Sequence, residues 1–279
     1  MTIKAYNGVE CPPFMYGTAW KKDATEGLVK LAIENGFTAI DTANQLIHYD
    51  EERVGRALLE LRQKGVTRES LFLQTKFTSV GGQGKTTPYD PSASLTMQVS
   101  QSFESSLKHL HTDYLDSYVL HGPYQREGLG ASDWEVWSAI ESQYTAGKCR
   151  MIGVSNVSAG QLRELCAKAK VKPMAVQNRC YAILGWDREV RDICREHSII
   201  YQGFSLLTAN QRYFDEPDLR ATAKRLRVTE SQVIFSFSLH VGMLPLTGTS
   251  NEKHMQEDLA AVNLKLTEQE IDLIENIAG

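Results

Sequence analysis

The sequence predicts an α/β chain folded as a (β/α)8 TIM barrel with an N-terminal β-hairpin, in one domain over residues 1–279. Three observations carry this. Short apolar runs of β character alternate with amphipathic runs along the whole length. Eight such runs follow the opening turn, spaced too widely for hairpins, so they pair in parallel through right-handed crossovers. No Pro-, Gly- or Ser-rich linker, composition break or repeat divides the chain. The competing architecture is an open doubly wound sheet, but eight is the number that closes a barrel.

Taken in order, Asn7-Gly8 lies between Ile3–Tyr6 and Val9, a pair that tolerates the positive φ of a tight turn. Strand-like runs follow at Phe14–Tyr16, Thr38–Asp41, Leu71–Thr75, Leu115–Leu120, Met151–Ser155, Ala175–Gln177, Ile199–Gly203 and Met243–Thr247. Helical stripes fall between them: Leu28, Leu31 and Ala32, then Val54, Leu58, Leu59 and Leu61. Further helices are predicted over Val99–Leu110, Trp134–Ala146, Ala159–Lys168, Arg188–His197 and Ser231–His240. Asp23 reads as an N-cap of the first, and Thr229 with Gln232 as a capping box. Gly36 and Gly147 read as helix stops.

Composition narrows the function. Thirty Lys+Arg against 34 Asp+Glu give a formal charge of −4, so no basic surplus exists to neutralise a phosphate backbone, and nucleic-acid binding is not expected. No run approaches the roughly 18–20 apolar residues of a membrane span. The opening Met1–Tyr6 has neither basic nor apolar leader character. Five scattered cysteines, with no C-x-x-C pair, fit a reducing cytoplasm and argue against a disulfide framework or a zinc site.

Two motifs are discounted. Gly81-Gly82-Gln83-Gly84-Lys85-Thr86 imitates a phosphate loop, yet Ser79 stands where the first glycine belongs, and Pro88 and Pro91 break the helix that must follow. A loop after the third strand is the better reading. His109 and His111 at i, i+2 on a helix point apart, which fits a solvated helix end rather than a metal pair.

The strand ends carry more weight. Asp41, Lys76 and His121 each close an apolar run, on the second, third and fourth barrel strands, so all three heads emerge at one mouth. Tyr49 lies in the loop after Asp41. An acid, an amine and an imidazole on three consecutive strands, with a phenol nearby, form a candidate site for proton transfer. A phenol ionises near pH 10, and a nearby ammonium is expected to lower that value.

From Tyr16-Gly17-Thr18 to the last helix the chain resembles the aldo-keto reductases. The resemblance implies a catalytic set of Asp41, Tyr49, Lys76 and His121. It assigns Ser155 and Asn156 of the Gly153-Val154-Ser155-Asn156 run, with Gln177, to the nicotinamide carboxamide, and Phe204 to stacking on its ring. Gly17, Thr18, Asp41, Ser205 and Leu207 complete that part of the cofactor site. The implied cofactor is NADPH, with NADH possible, and the implied partner a small carbonyl compound turned over by a cytoplasmic monomer.

Two departures bear on these assignments. The family places Tyr five positions after Asp; here Leu46 stands there and Tyr49 comes three later, so Asn44–His48 must loop out to return the hydroxyl. The family's 2′-phosphate clamp, Lys-Ser with a later Arg, is replaced by Gly248-Thr249-Ser250-Asn251 with His254 in the Arg position. Histidine lacks the permanent, forked charge of arginine, so discrimination for NADPH should weaken. Glu257 and Asp258 would face the adenine end. Trp20, Phe77 and Trp134 are expected in the wall of an open substrate pocket suited to medium-sized aldehydes or ketones. A rival reading is a catalytically weak cofactor-sensing or scaffolding subunit on the same fold.

Overall fold

The computed structural model describes residues 3–279; Met1 and Thr2, which begin the stretch read for a leader, lie outside the described residues. Strands β1 (Ile3–Lys4) and β2 (Glu10–Cys11) pair antiparallel as the opening hairpin. Of the Asn7-Gly8 pair only Gly8 adopts a positive φ, +86°. The Asn7 side chain instead accepts the Val9 N–H at 3.2 Å.

Eight parallel strands then close a barrel in chain order: β3 (Met15–Gly17), β4 (Ala39–Asp41), β5 (Phe72–Phe77), β6 (Leu115–Leu120), β7 (Cys149–Ser155), β8 (Ala175–Arg179), β9 (Ile200–Phe204) and β10 (Met243–Thr247). Closure comes from β10 pairing with β3, Leu246 opposite Met15. The helices outside are α1 (Thr25–Glu34), α2 (Glu51–Gln63), α3 (Leu95–Leu110), α4 (Ala131–Thr145), α5 (Ala159–Lys168), α6 (Arg188–Glu196), α7 (Pro217–Leu226), α8 (Glu230–His240), α9 (Glu252–Ala260) and α10 (Glu268–Glu275).

The Thr229–Gln232 capping box forms as predicted, and Gly36 and Gly147 take positive φ just past their helices. Asp23 does not cap α1. It sits in a 3₁₀ turn over Lys22–Ala24 and its carboxylate pairs with Arg53, while Thr25 Oγ1 donates to Lys22 O at 2.7 Å. Helix α7 was invisible to the stripe criterion: its buried side are only Leu219, Thr222 and Ala223.

Strand alternation sorts the interior. Along β5, Phe72, Gln74 and Lys76 point into the barrel, while Leu73 and Phe77 join the apolar layer between barrel and helices. The lower end is filled by Met15, Ala39, Phe72, Met151, Ile200 and Leu244, and the hairpin plugs it with Ala5 and Cys11. Tyr6 N–H to Ser198 O (3.0 Å) and Asn7 Nδ2 to Arg150 O (2.9 Å) hold the plug in place. Above this apolar layer the interior turns polar, with Gln74, Gln202, Gln177, Asp41 and Lys76 in one bonded cluster.

Candidate active site

The polar cluster is built around a buried ion pair. Lys76 is fully buried, and its Nζ donates to Asp41 Oδ1 (2.8 Å), Asp41 Oδ2 (2.7 Å) and Thr42 O (2.9 Å), which accounts for all three ammonium hydrogens. Asp41 Oδ1 also accepts from Gln74 Nε2 at 2.8 Å and Gln177 Nε2 at 3.0 Å. Gln74 and Gln202 bond each other reciprocally, at 2.7 and 2.9 Å. Burial pulls the Lys76 pKa down, and the Asp41 carboxylate opposes that pull.

The loop after β4 makes the detour that Tyr49 requires. Gln45 O accepts both the His48 and Tyr49 N–H groups, at 3.1 and 3.0 Å, so Leu46 and Ile47 swing out to solvent and Tyr49 turns back. The glycine-rich run discounted as a phosphate loop braces this turn. Gln45 Nε2 donates to Gly82 O (2.7 Å), and Gln83 Nε2 donates to Asn44 O (2.7 Å). Lys76 Nζ lies 5.2 Å from the Tyr49 ring centre, and the His121 ring stands edge-on at 5.9 Å.

One expectation is corrected here. The Tyr49 phenol is pushed up, not down, first by burial and then by the Asp41 charge. Burial and the Asp41 carboxylate outweigh the ammonium, whose three hydrogens are all turned to Asp41 and Thr42 O. Tyr49 is therefore a firmly protonated phenol. His121 is held neutral: burial, then the Lys76 charge, then His48 pull its pKa to about 3. Its Nδ1 lies 2.7 Å from Thr78 Oγ1.

Tyr49 and His121 line a cavity of about 720 Å³ whose walls also include Gly17, Asp41, Ser155, Asn156, Gln177, Phe204, Ser205 and Leu207. Gly248, Thr249, His254, Glu257 and Asp258 continue the same wall. Ser155 Oγ donates to Gln177 O at 2.6 Å and Asn156 Nδ2 to His121 O at 2.8 Å. Trp20, Asn156 and Ser205, all in the wall, have φ of +64°, +54° and +57°, three of the nine non-glycine residues with positive φ among the described residues. At the far end His254 N–H is capped by Asn251 Oδ1 (3.2 Å), Lys253 pairs with Glu257 (3.5 Å), and burial raises the Asp258 pKa to about 6.

Several predicted positions lie elsewhere. Phe77 faces outward against Tyr89, because it alternates with inward Lys76, so it is not a pocket wall. Trp134 packs on the outer apolar layer from α4. Thr18 is buried beneath the cavity, its hydroxyl donating to Asp41 O at 3.0 Å, and Ser250 is exposed outside the wall. Trp20 is in the wall, stacked on His48 with ring centres 3.7 Å apart. His109 is not a solvated helix end: its Nδ1 lies 3.1 Å from Glu51 Oε2, inside a buried cluster with Thr75 and Ser106, and Glu51 raises its pKa. A wider open groove of about 1130 Å³, lined by Arg62, Arg68, Lys108 and Lys148, lies on the outer wall and contains none of the strand-end residues.

The reading of the sequence missed Gln74, Gln202, Thr78, Gln45 and Lys21. Gln74 and Thr78 were accessible: each is two residues from Lys76, on the same face of β5 or its extension. Lys21 follows Trp20 and donates its Nζ to Gly248 O across the cavity mouth. The other two act through contacts far apart in sequence.

Comparison with known proteins gives the family. The Aldo/keto reductase family description matches residues 15–278. The chain is 32% identical over 276 residues to a glyoxal reductase of Bacillus subtilis, covering 98% of this chain and 91% of that protein. It is 28% identical over 280 residues to a 9,11-endoperoxide prostaglandin H2 reductase of Trypanosoma cruzi, covering 99% and 90%. The crystal structure of an aldo-keto reductase from a Medee basin deep-sea metagenome superposes with a TM-score of 0.85 at 26% identity, covering 99% of this chain and 94% of that one. No described helix is long and apolar enough to cross a membrane. Closed eight-strand barrel, strand-end ion pair and full-length similarity agree: the chain belongs to the aldo/keto reductase family and is an oxidoreductase.

Proposed function

We propose that this oxidoreductase reduces aldehyde or ketone carbonyls to alcohols with NAD(P)H, Tyr49 giving the proton. The observation that carries the proposal is the detour of Asn44–His48, which returns a protonated phenol to a cavity beside Lys76 and a neutral imidazole. The donor groups fit a nicotinamide dinucleotide. Gln177 Oε1 and Asn156 Oδ1 accept no hydrogen bond from a described residue, which suits the two hydrogens of a carboxamide, and the Phe204 ring lines the same wall. A bound reduced nicotinamide supplies a hydride. His121 orients the carbonyl oxygen through a neutral N–H, and Tyr49 passes its proton to the oxygen as negative charge builds there. A phenol of raised pKa still serves, because an alkoxide is a far stronger base. Lys76, the cation 5.2 Å from the Tyr49 ring centre, then stabilises the charge left on the phenolate, while Asp41 holds the ammonium in place.

Steady oxidation of NADPH in the presence of a generic aldehyde tests the activity. Tyr49→Phe should lower kcat by about 10²–10⁴-fold while leaving the cofactor dissociation constant within about twofold. Full turnover in that variant would remove Tyr49 from the reaction. Cofactor binding without turnover in the unaltered chain would favour the sensing or scaffolding role. The similarity to a glyoxal reductase supports small dicarbonyl compounds as the first substrates to try.

NADPH is the first expectation, with weak discrimination against NADH. His254 lies in the wall where a forked, permanent charge would grip a 2′-phosphate, and the nearby Lys253 is already paired with Glu257. His254→Arg should tighten NADPH by about tenfold, the scale of one charge-assisted contact, and leave NADH unchanged. Equal tightening of both cofactors would place His254 away from the 2′ position.

A further inference from the structure

The Thr78 hydroxyl makes one described hydrogen bond, to His121 Nδ1 at 2.7 Å, and Thr78 does not reach the cavity. Thr78 is buried, so its hydroxyl hydrogen must find an acceptor within the protein. Two tautomers of a neutral imidazole are conceivable. If Nδ1 held the proton it would donate to Thr78 Oγ1, and the hydrogen of that hydroxyl would have no described acceptor. If Nδ1 is bare, the hydroxyl donates to it and both groups are satisfied. The rest of Thr78 is fixed as well: its carbonyl accepts from Tyr89 Oη at 2.6 Å, so the residue cannot turn freely to another partner.

The backbone sets this meeting. His121 N–H donates to Phe77 O at 2.9 Å, continuing the β5–β6 pairing by one step. Alternation from Lys76 then brings Thr78 back to the inner side, next to the imidazole. The other end of His121 is held by Asn156 Nδ2, donating to His121 O at 2.8 Å.

We infer that Thr78 is a positioning residue: its hydroxyl, donating to His121 Nδ1, fixes the imidazole as the Nε2–H tautomer and aims that N–H into the cavity. The consequence for turnover rests on the carbonyl-reduction reading, in which His121 must offer a hydrogen and not a lone pair to the substrate oxygen. The tautomer itself does not depend on that reading.

Long-range ¹H–¹⁵N correlation spectra of the cofactor-free protein report the ring nitrogens directly, His121 being assigned by its loss in His121→Gln. The expected result is protonated Nε2 and bare Nδ1. Protonated Nδ1, or an even mixture, overturns the inference whether or not the protein turns over a carbonyl. In kinetics, Thr78→Val removes the hydroxyl at constant shape and should lower kcat by about tenfold, with the cofactor dissociation constant unchanged. Thr78→Ser keeps the hydroxyl and should restore most of that loss. An unchanged kcat in Thr78→Val, or a Thr78→Ser as slow as Thr78→Val, overturns the positioning role. If Thr78→Val does not fold, Thr78→Ala is measured in its place, and the wild-type spectrum decides the tautomer.

Discussion

Lys76 shows at single-residue scale how burial and pairing divide the work. A fully buried ammonium is tolerated because three oxygens take its three hydrogens, two of them on a carboxylate that Gln74 and Gln177 also hold. Removing one partner is therefore worse than removing both. Lys76→Met should destabilise the fold by about 3–5 kcal/mol, since Asp41 is left charged, buried and uncompensated. Adding Asp41→Asn to that variant should recover part of the loss. Urea unfolding of both variants measures this, and a double variant no more stable than Lys76→Met would contradict it. The same site explains why Tyr49 keeps its proton: burial disfavours the phenolate and the Asp41 carboxylate repels it.

At the scale of elements, the seam between α2 and α3 is decided by one glycine. A Cβ on Gly55 would lie 1.8 Å from His109 O, a backbone atom of the facing helix that cannot swing aside. The close approach lets Glu51, at the start of α2, reach Ser106 (2.9 Å) and His109 (3.1 Å) on α3, and Glu51 also takes the hydroxyl of Thr75 from β5. Because α2 begins two residues after Tyr49, its seating also fixes the end of the detour loop. Gly55→Ala should cost about 1–3 kcal/mol by overpacking, read from the urea midpoint, with an additional loss of kcat as α2 shifts. A neutral Gly55→Ala would mean the two helices part without consequence.

The whole molecule registers its buried titrating groups through pH. His121 is held at about 3 against an ordinary 6.5, so between those values the unfolded chain takes up a proton that the folded chain refuses. Its contribution is thus present above pH 6.5 and lost on acidification, by up to about 1.4 kcal/mol per pH unit. Asp258 opposes this: raised from 3.8 to about 6, it favours the folded state below that window and loses its contribution as pH rises through it. His109 acts in the same sense, its contribution being present below pH 6.5 and lost as pH rises through its raised value. Subtracting a His121→Gln variant isolates the first effect. Urea stabilities from pH 7 to 4 should fall less steeply for the variant than for the wild type, and equal slopes would show that His121 is not held neutral.

The barrel itself was legible because period and punctuation are local: eight β-like runs, the amphipathic stripes, the Thr229–Gln232 box and the turn at Gly8 are each written within a few residues. The strand-end positions of Asp41, Lys76 and His121 were legible for the same reason, since each closes an apolar run, but that Asp41 draws Lys76 fully into the interior, out of the cavity wall, was not. Helix α7 was not, because too few apolar side chains mark its buried side. Which way a side chain faces was decided only by the fold: the same strand sends Lys76 inward and Phe77 outward, and only closure of the sheet says which side is the pocket. The polarity of the interior was likewise tertiary, since Gln74 and Gln202 are far apart in sequence and meet only across the closed barrel. Sequence determined the elements and the chemistry carried at their ends, because those follow from short-range sterics and burial. Tertiary structure alone decided the protonation of Tyr49 and His121, because a proton's affinity depends on every charge and every missing water around it.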